Sequence, residues 1–92
     1  MLTIAVPLKE GARFHARPAG AIAKLAQGFD CMIMLQTPHG FADARDYLSV
    51  MRLAPQGADR VDILTDGPGE EEAGRAMEAL LLDLMDDMAR GI

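Results

Sequence analysis

The chain has 92 residues, of which half are apolar, a quarter are charged and 4% are aromatic. This length favours one domain over residues 1–92, with enough buried surface for a single core, and the apolar content excludes an intrinsically disordered chain. The net charge of −5 at pH 7 argues against general nucleic-acid binding.

The first predicted element is a strand at the start of the chain, over residues 2–8. Large apolar residues alternate there with small or polar ones, and a period of two is typical of a half-buried strand. Pro7 has no N–H to donate to a β-ladder, so we expect this strand at an edge of the sheet.

A helix over residues 16–27 comes next. Pro18 fits only the first turn of a helix, which places the start close to His15, and Gly28 is typical of a helix end. Apolar residues recur at helical spacing and predict one buried face, made of Ala19, Ile22, Ala23 and Ala26.

The middle of the chain predicts a β-hairpin followed by a short helix. The apolar run over 31–36 reads as an inner strand, residues 37–40 (Thr-Pro-His-Gly) as a turn, and 41–44 as the second strand. A helix over 46–53 follows, with Asp46 as its N-cap because a carboxylate accepts from the free N–H groups of a first turn.

Residues 55–57 (Pro-Gln-Gly) interrupt the pattern before the last strand. That strand is predicted over 61–66, and a turn follows at 67–69. Glu70 opens the clearest helix, over 70–89, whose acidic first turn suits the helix dipole. Its predicted apolar stripe consists of Ala73, Met77, Leu80, Leu81, Leu84 and Met88. The order β-α-β-β-α-β-α, with four strands and three amphipathic helices, predicts a two-layer α+β sandwich.

Charge is unevenly distributed over these elements. Residues 1–29 carry four Lys and Arg against one acidic residue, whereas residues 59–92 carry ten acidic residues against three arginines. The acidic third is typical of a solvated helix face. The basic third is a candidate anion-binding region.

Cysteine content and hydropathy indicate the compartment. One cysteine, Cys31, leaves no partner for an internal disulfide, cannot make a zinc cluster, and is expected to be a small core residue. This favours a reducing, cytoplasmic setting. The first residues make a poor signal peptide, and no apolar run approaches the ~20 residues that span a bilayer. We expect a cytoplasmic protein without membrane insertion.

The candidate site is His15-Ala16-Arg17-Pro18, at the start of the first helix. A neutral histidine nitrogen is a nucleophile that forms covalent intermediates. A helix N-terminus offers unpaired N–H groups to an anion, and Arg17 adds a planar cation suited to phosphate oxygens. This combination suits a carried phosphoryl group. These four residues alone favour the simpler interpretation, a histidine that only caps a helix beside a solvated arginine, because short motifs often match by chance.

The surrounding sequence resembles the HPr family, the histidine phosphocarriers of the bacterial phosphotransferase system. The segment 11–19 (Gly-Ala-Arg-Phe-His-Ala-Arg-Pro-Ala) resembles the family's active-site segment, and residues 28–30 (Gly-Phe-Asp) its next loop. Residues 44–48 resemble its Ala-Lys-Ser-hydrophobic-hydrophobic pattern, and residues 56–57 (Gln-Gly) match before the last strand. The resemblance covers essentially the whole chain and extends to nitrogen-related, NPr-like members. It implies an open-faced sandwich with a four-stranded antiparallel sheet.

The resemblance implies a function for each matched residue. His15 accepts a phosphoryl group on Nδ1 from enzyme I, the phosphoenolpyruvate-dependent donor, and passes it to a IIA-type acceptor or a regulatory protein. Arg17 stabilises the phosphoryl group, and the backbone N–H groups of Ala16 and Arg17 cradle its oxygens. Such a protein is a carrier and not an enzyme, and is expected to need no metal or other cofactor and to act as a monomer.

Two positions depart from the family pattern. Arg13 stands where the family usually has glycine, and is interpreted as a solvent-facing arginine or as added positive charge beside His15. Asp46 stands where many members have a regulatory serine, so a serine kinase has no hydroxyl there to phosphorylate. Asp and Ser are both good N-caps, which explains the exchange without any regulatory role. Ser49, one turn later, is not a matching replacement.

By resemblance, Tyr47, Leu48 and Met51 form a partner-docking surface, while Val50 and Leu53 belong to the core. Methionine suits an adaptable contact surface. His39, in its Pro-His-Gly turn, is expected on the surface.

Three settings stay open for such a carrier: sugar uptake, a regulatory nitrogen-related branch, and a dihydroxyacetone-kinase system. A different class also remains, a regulatory or ligand-binding α+β module that carries no phosphate. The coincidence of histidine, arginine and proline at one helix start argues against that class.

Overall fold

A computed structural model describes residues 1–53 and 59–90. It contains the seven elements in the predicted order β-α-β-β-α-β-α. The strands and helices are β1 (Leu2–Pro7), α1 (Ala16–Ala26), β2 (Met32–Thr37), β3 (Gly40–Asp43), α2 (Tyr47–Arg52), β4 (Arg60–Asp66) and α3 (Glu70–Arg90). Every boundary lies within one residue of the sequence prediction. The predicted Gln56-Gly57 match lies outside the described residues.

The four strands form one antiparallel sheet in the order β1-β4-β2-β3. β1 is an edge strand, as Pro7 predicted, and β2 is an inner strand, as its apolar run predicted. β4 pairs with both β1 and β2, so the last strand in sequence occupies the centre of the sheet. This topology brings the C-terminal helix back beside the first strand.

The helices cover one face of the sheet, and alternation along the strands directs the large apolar side chains to that face. Ile33 and Leu35 of β2 and Ile63 of β4 are at most 1% exposed. All four residues of the predicted α1 face are buried. On α3, Ala73, Met77, Leu81 and Met88 are buried, while Leu80 and Leu84 pack against the core at its margin.

The end of α1 is formed by a hydrogen-bond arrangement that differs from the predicted one. Gly28 follows the helix as predicted, but the glycines with positive φ are Gly11, Gly40, Gly67 and Gly69. α1 closes with the N–H of Gln27 bonded to the Ala23 carbonyl, and Gly28 donates to the Leu25 carbonyl at 3.1 Å. The helix therefore ends in a tightened last turn rather than a left-handed glycine.

Candidate phosphoryl-transfer site

His15 is the residue from which α1 starts. Its backbone is extended (φ −79°, ψ −174°), and its carbonyl accepts the first helical hydrogen bond from the Ala19 N–H at 3.0 Å. Its imidazole makes no capping hydrogen bond and is half-buried. The ring is therefore held beside the helix start without closing it.

The N-terminus of α1 is left open to an anion. The N–H groups of Ala16 and Arg17 are the first in the helix and have no intrahelical acceptor, and Pro18 has no N–H. Both Ala16 and Arg17 are exposed, and the first turn contains no acidic residue. Two backbone donors and the positive helix end are thus accessible next to His15, and the exposed Arg17 adds a cation to the same turn.

The other side of the imidazole contacts the end of α3. Nε2 of His15 lies 3.2 Å from the carbonyl oxygen of Asp87, in the last turn of that helix. This contact was not among the features predicted from the sequence. A backbone carbonyl is common to every residue type, so no pattern of side chains could have indicated it.

The β1–α1 loop, residues 8–15, is attached to the same turn of α3. The N–H of Arg13 donates to the Met88 carbonyl at 3.0 Å, and the Lys9 ammonium donates to the Asp86 carboxylate at 2.7 Å. Lys9 holds the pKa of Asp86 below its ordinary value. Two contacts remote in sequence thus fix the loop that presents His15.

Arg13 does not disturb this loop. It has no positive φ and its side chain is exposed, which agrees with a solvent-facing arginine. The left-handed conformation occurs instead at Gly11, where φ is +82°. A methyl group on Gly11 would lie 3.7 Å from the Ala89 carbonyl oxygen, so the loop runs close along the end of α3.

The side chains of Tyr47, Leu48 and Met51 form an exposed apolar patch on α2. They are 39%, 56% and 40% exposed, whereas Val50 and Leu53 are buried. A methyl group on Gly20 of α1 would lie 3.9 Å from Cε1 of Tyr47. Because Ala16 and Gly20 share one face of α1 at a spacing of four residues, the apolar patch adjoins the face that begins beside His15.

Arg45 attaches α2 to the end of α1. Its guanidinium donates to the carbonyls of Phe29 and Cys31, while Gln27 donates through its side chain to the Arg45 carbonyl at 3.4 Å. These bonds connect the loop after α1 to the segment that leads into α2. They help to fix the apolar patch relative to α1.

The structure also places the remaining residues that were named from the sequence. Asp46 is the N-cap of α2, as predicted, and accepts from the Leu48 N–H at 3.1 Å. The Ser49 hydroxyl accepts from the Asp43 N–H, so it helps to join α2 to β3. His39 is exposed in its turn and Cys31 is buried, both as predicted.

Two kinds of further feature, a metal-binding cluster and a membrane span, are absent from the described residues. Within residues 1–53 and 59–90, no three His, Cys, Asp or Glu side chains come together as a metal-binding group. In that same part of the chain, none of the helices has the length and hydropathy to cross a membrane.

The comparisons with known proteins agree with this geometry. Residues 2–83 match a family model described as the PTS HPr component phosphorylation site. The phosphocarrier protein NPr of Escherichia coli K12 is 36% identical over 67 residues, covering 72% of this chain and 74% of that protein. The phosphocarrier protein HPr of Mycoplasma pneumoniae is 34% identical over 82 residues, covering 88% of this chain and 93% of that protein.

A solved structure shows the same fold. A mycoplasma histidine-containing phosphocarrier protein superposes with a TM-score of 0.82 at 22% identity, covering 91% of this chain and 96% of that one. The open sheet, the three helices and their order are therefore those of that fold. The match to the family model and the identity to curated phosphocarriers place the chain in a family: it is a member of the HPr family of phosphotransferase-system phosphocarriers, with NPr-like sequence features.

Proposed function

We propose that His15 is the residue on which this phosphocarrier carries its phosphoryl group, which it accepts from enzyme I and delivers to a IIA-type acceptor. The observation that supports this most directly is the open N-terminus of α1 beside the imidazole. A nucleophilic nitrogen, two free backbone donors and the Arg17 guanidinium occur there together. In this role the protein is a substrate of both partners and not a catalyst of turnover.

The transfer step needs no group beyond those of the chain and the donor. The lone pair of an imidazole nitrogen attacks phosphorus, an N–P bond forms, and the bond from phosphorus to the donor's leaving atom breaks with its electron pair kept by the donor. The Ala16 and Arg17 N–H groups and the guanidinium then face an added phosphoryl group that carries about two negative charges. Delivery to the acceptor is the same step in reverse.

The charge distribution supports docking of acidic partners on the α1–α2 side. Ion pairs engage the cations Lys9, Arg60 and Arg75. By contrast, Arg17 and Lys24 on α1 and Arg52 on α2 have no carboxylate at ion-pair distance within residues 1–53 and 59–90. Arg17 and Arg52 lie on the same two helices as the apolar patch and its neighbour Gly20, so a partner with acidic residues beside an apolar contact is complementary to this side.

The residue at the family's regulatory position, Asp46, determines whether a serine kinase can act there. Asp46 has no hydroxyl, and its carboxylate is engaged as the N-cap of α2. We therefore propose that a serine kinase does not control this carrier at residue 46. The NPr-like identity favours a regulatory branch over sugar uptake as its setting.

The decisive experiment is to mix the purified protein with phosphoenolpyruvate and the enzyme I of the same organism, and to read the intact mass under neutral conditions. We expect a gain of one phosphoryl group that is lost in acid, as a phosphoramidate bond is, and that is absent in His15→Ala. Phosphate retained in a folded His15→Ala variant would rule out this residue. Absence of labelling with the cognate enzyme I would favour a binding module that carries no phosphate.

The acceptor is identified by incubating the labelled protein with the IIA-type proteins of the organism, one at a time. Transfer to one of them over the others would establish the branch. Equal transfer to all would contradict specialisation for a regulatory branch.

A further inference from the structure

We propose that Arg13 is a second phosphoryl-binding arginine of this carrier: its guanidinium binds the phosphoryl group on His15 from the side of the β1–α1 loop, while Arg17 acts from the helix. The inference rests on the proposed function, because it assigns a further residue to the same site. It is specific to this chain, since Arg13 stands where the HPr family usually has glycine, which has no side chain to offer.

The loop in front of α1 is anchored to the core on alternate residues. Ala12 is 6% exposed and Phe14 is 2% exposed, whereas Arg13 between them is exposed and His15 is half-buried. This alternation is typical of an extended chain, in which residues two apart point to the same side. Arg13 and His15 therefore share the side of the loop that faces away from Ala12 and Phe14.

The spacing along the loop brings the guanidinium within reach of a group on the imidazole. Two residues of extended chain separate their Cα atoms by about 6.5 Å, a distance that the long stem of an arginine can cover. The N–H of Arg13 donates to the Met88 carbonyl at 3.0 Å, which fixes the backbone from which the side chain extends. The guanidinium thus extends from a defined point beside His15.

The charges around His15 leave Arg13 available to an anion. Within residues 1–53 and 59–90, no carboxylate lies at ion-pair distance from the guanidinium of Arg13 or of Arg17. Lys9, at the other end of the loop, is by contrast paired with Asp86 at 2.7 Å. A phosphoryl group carries about two negative charges at neutral pH, which two unpaired arginines match.

The shape of arginine suits this role. Its planar guanidinium presents a fork of N–H donors that matches two phosphate oxygens at once, and it stays charged at any physiological pH. The Ala16 and Arg17 N–H groups reach a phosphoryl group from the helix start, and Arg13 adds donors from the loop. The added donors stabilise the phosphoryl group during its transfer to His15.

The first test uses phosphoramidate, a donor that needs no protein partner. The imidazole nitrogen forms an N–P bond, and ammonia leaves with the electron pair of the broken P–N bond. We expect Arg13→Gln to slow this labelling of His15 about threefold at low ionic strength, the scale of one exposed charge pair, and Arg13→Lys to restore most of the rate. Glutamine replaces arginine here because glycine would also loosen the loop backbone.

Arg75→Gln is the matched control, because it removes an exposed arginine near the start of α3, the opposite end of that helix from the turn beside His15. It should be labelled at the wild-type rate. The loss in Arg13→Gln should shrink with added salt, since salt screens charges exposed to solvent. If folded Arg13→Gln were labelled at the wild-type rate, or if both variants were slowed equally, the proposal would be wrong.

Enzyme I, as a second donor, distinguishes the phosphoryl group from a partner's surface as the anion that Arg13 binds. A contact with the phosphoryl group should slow Arg13→Gln by a similar factor with both donors. A loss confined to enzyme I, seen as a raised KM for the carrier, would assign Arg13 to docking and overturn the proposal. Absence of labelling of the folded wild type by both donors would overturn the proposed function and this inference together. Labelling by phosphoramidate alone would count only against enzyme I as the donor.

Thermal unfolding separates phosphoryl binding from a structural role of Arg13. The unphosphorylated Arg13→Gln protein should have the thermal midpoint of the wild type, because the side chain is exposed and has no ion pair within the described residues. A lowered midpoint, with slow labelling that Arg13→Lys does not restore, would assign the residue a structural role and contradict the proposal.

Discussion

The starts of α1 and α3 are built in opposite ways, although each follows a loop with a left-handed glycine. At α3, the N–H of Gly67 donates to the Glu70 carboxylate at 3.1 Å, and Glu70 places negative charge in the first turn. The Thr65 hydroxyl donates to the Glu70 carbonyl at 2.8 Å, which ties the first turn to β4. At α1, the N-cap side chain accepts nothing and the first turn contains no acidic residue. The start of α3 is closed in the sense that its own carboxylate supplies negative charge and Thr65 ties the turn to the sheet, whereas the start of α1 has neither and is open.

The construction of a helix start decides whether its N–H groups stabilise the fold or are available to bind an anion. A closed start gains about 1 kcal/mol from its cap. An open start leaves its donors and its dipole available to an anion that arrives from outside. α2 has a side-chain cap in Asp46, and α3 has an acidic first turn. Within the described residues, the start beside His15 has neither a capping side chain nor an acidic residue in its first turn.

Closing α1 is expected to have the largest effect. His15→Asp introduces a good N-cap and removes the nucleophile, so phosphorylation is abolished. Relative to His15→Ala, which also lacks the imidazole, we expect a gain of about 1 kcal/mol in the free energy of unfolding, within a range of roughly 0.5–2 kcal/mol. Intact mass and urea denaturation measure the two effects. Equal stability of the two variants would show that the open start costs nothing.

Removing the cation of the open start is expected to affect transfer and not stability. Arg17→Ala should slow phosphorylation by enzyme I roughly tenfold, about 1.4 kcal/mol, because a charged hydrogen bond to the phosphoryl group is lost. Its thermal midpoint should barely change, since Arg17 is exposed. Arg75→Ala, which removes an exposed arginine near the start of α3, is the control. A loss of stability with unchanged labelling in Arg17→Ala would reverse our assignment.

Removing the N-cap of α2 tests the effect of capping at a helix start where no phosphoryl group is bound. Asp46→Ala removes the acceptor of the Leu48 N–H and should cost about 1 kcal/mol of unfolding free energy. Asp46→Ser keeps an N-cap and should cost little. Urea denaturation of the two variants side by side measures the difference. If serine destabilised as much as alanine, capping would not explain the aspartate.

Loosening the start of α3 is expected to lower the free energy of unfolding by an amount similar to, or slightly smaller than, that of Asp46→Ala. The Thr65 side chain is fully buried, so Thr65→Val removes its donor and leaves the Glu70 carbonyl one partner short, at a cost of about 1 kcal/mol. Thr3→Val, on the exposed face of the edge strand β1, is the control and should not destabilise. If Thr65→Val left the free energy of unfolding unchanged, water or another donor would have replaced the hydroxyl.

The smallest effect concerns the ion pair that holds the β1–α1 loop. Lys9 lowers the pKa of Asp86, so the pair contributes stability above the ordinary pKa of aspartate. That contribution is lost as pH falls through the lowered pKa. The difference in thermal midpoint between wild type and Lys9→Met should therefore be present at pH 7, vanish in acid, and shrink with added salt. A difference that grew in acid would contradict this pairing.

Much of the fold and part of the site were predictable because their causes are local. Alternation marks strands, a 3.6-residue period marks helices, and Pro18 and Asp46 mark helix starts through their own backbone or side-chain chemistry. The edge position of β1 followed from the N–H that Pro7 lacks. His15 and Arg17 were recognisable because nucleophile, cation and helix start are adjacent in sequence.

The remaining features depend on contacts between distant segments. β4 at the centre of the sheet brings α3 back across the molecule, and only then does the Asp87 carbonyl lie beside residue 15. Backbone carbonyls carry no residue signature, and the left-handed conformation occurs at Gly11 rather than at Gly28, where a helix end had been predicted. The amino-acid sequence by itself determined the elements and indicated the nucleophile that we propose, because these follow from side chains close together along the chain. Only the tertiary structure decided what the imidazole of His15 contacts, because Nε2 lies beside a helix end 72 residues away.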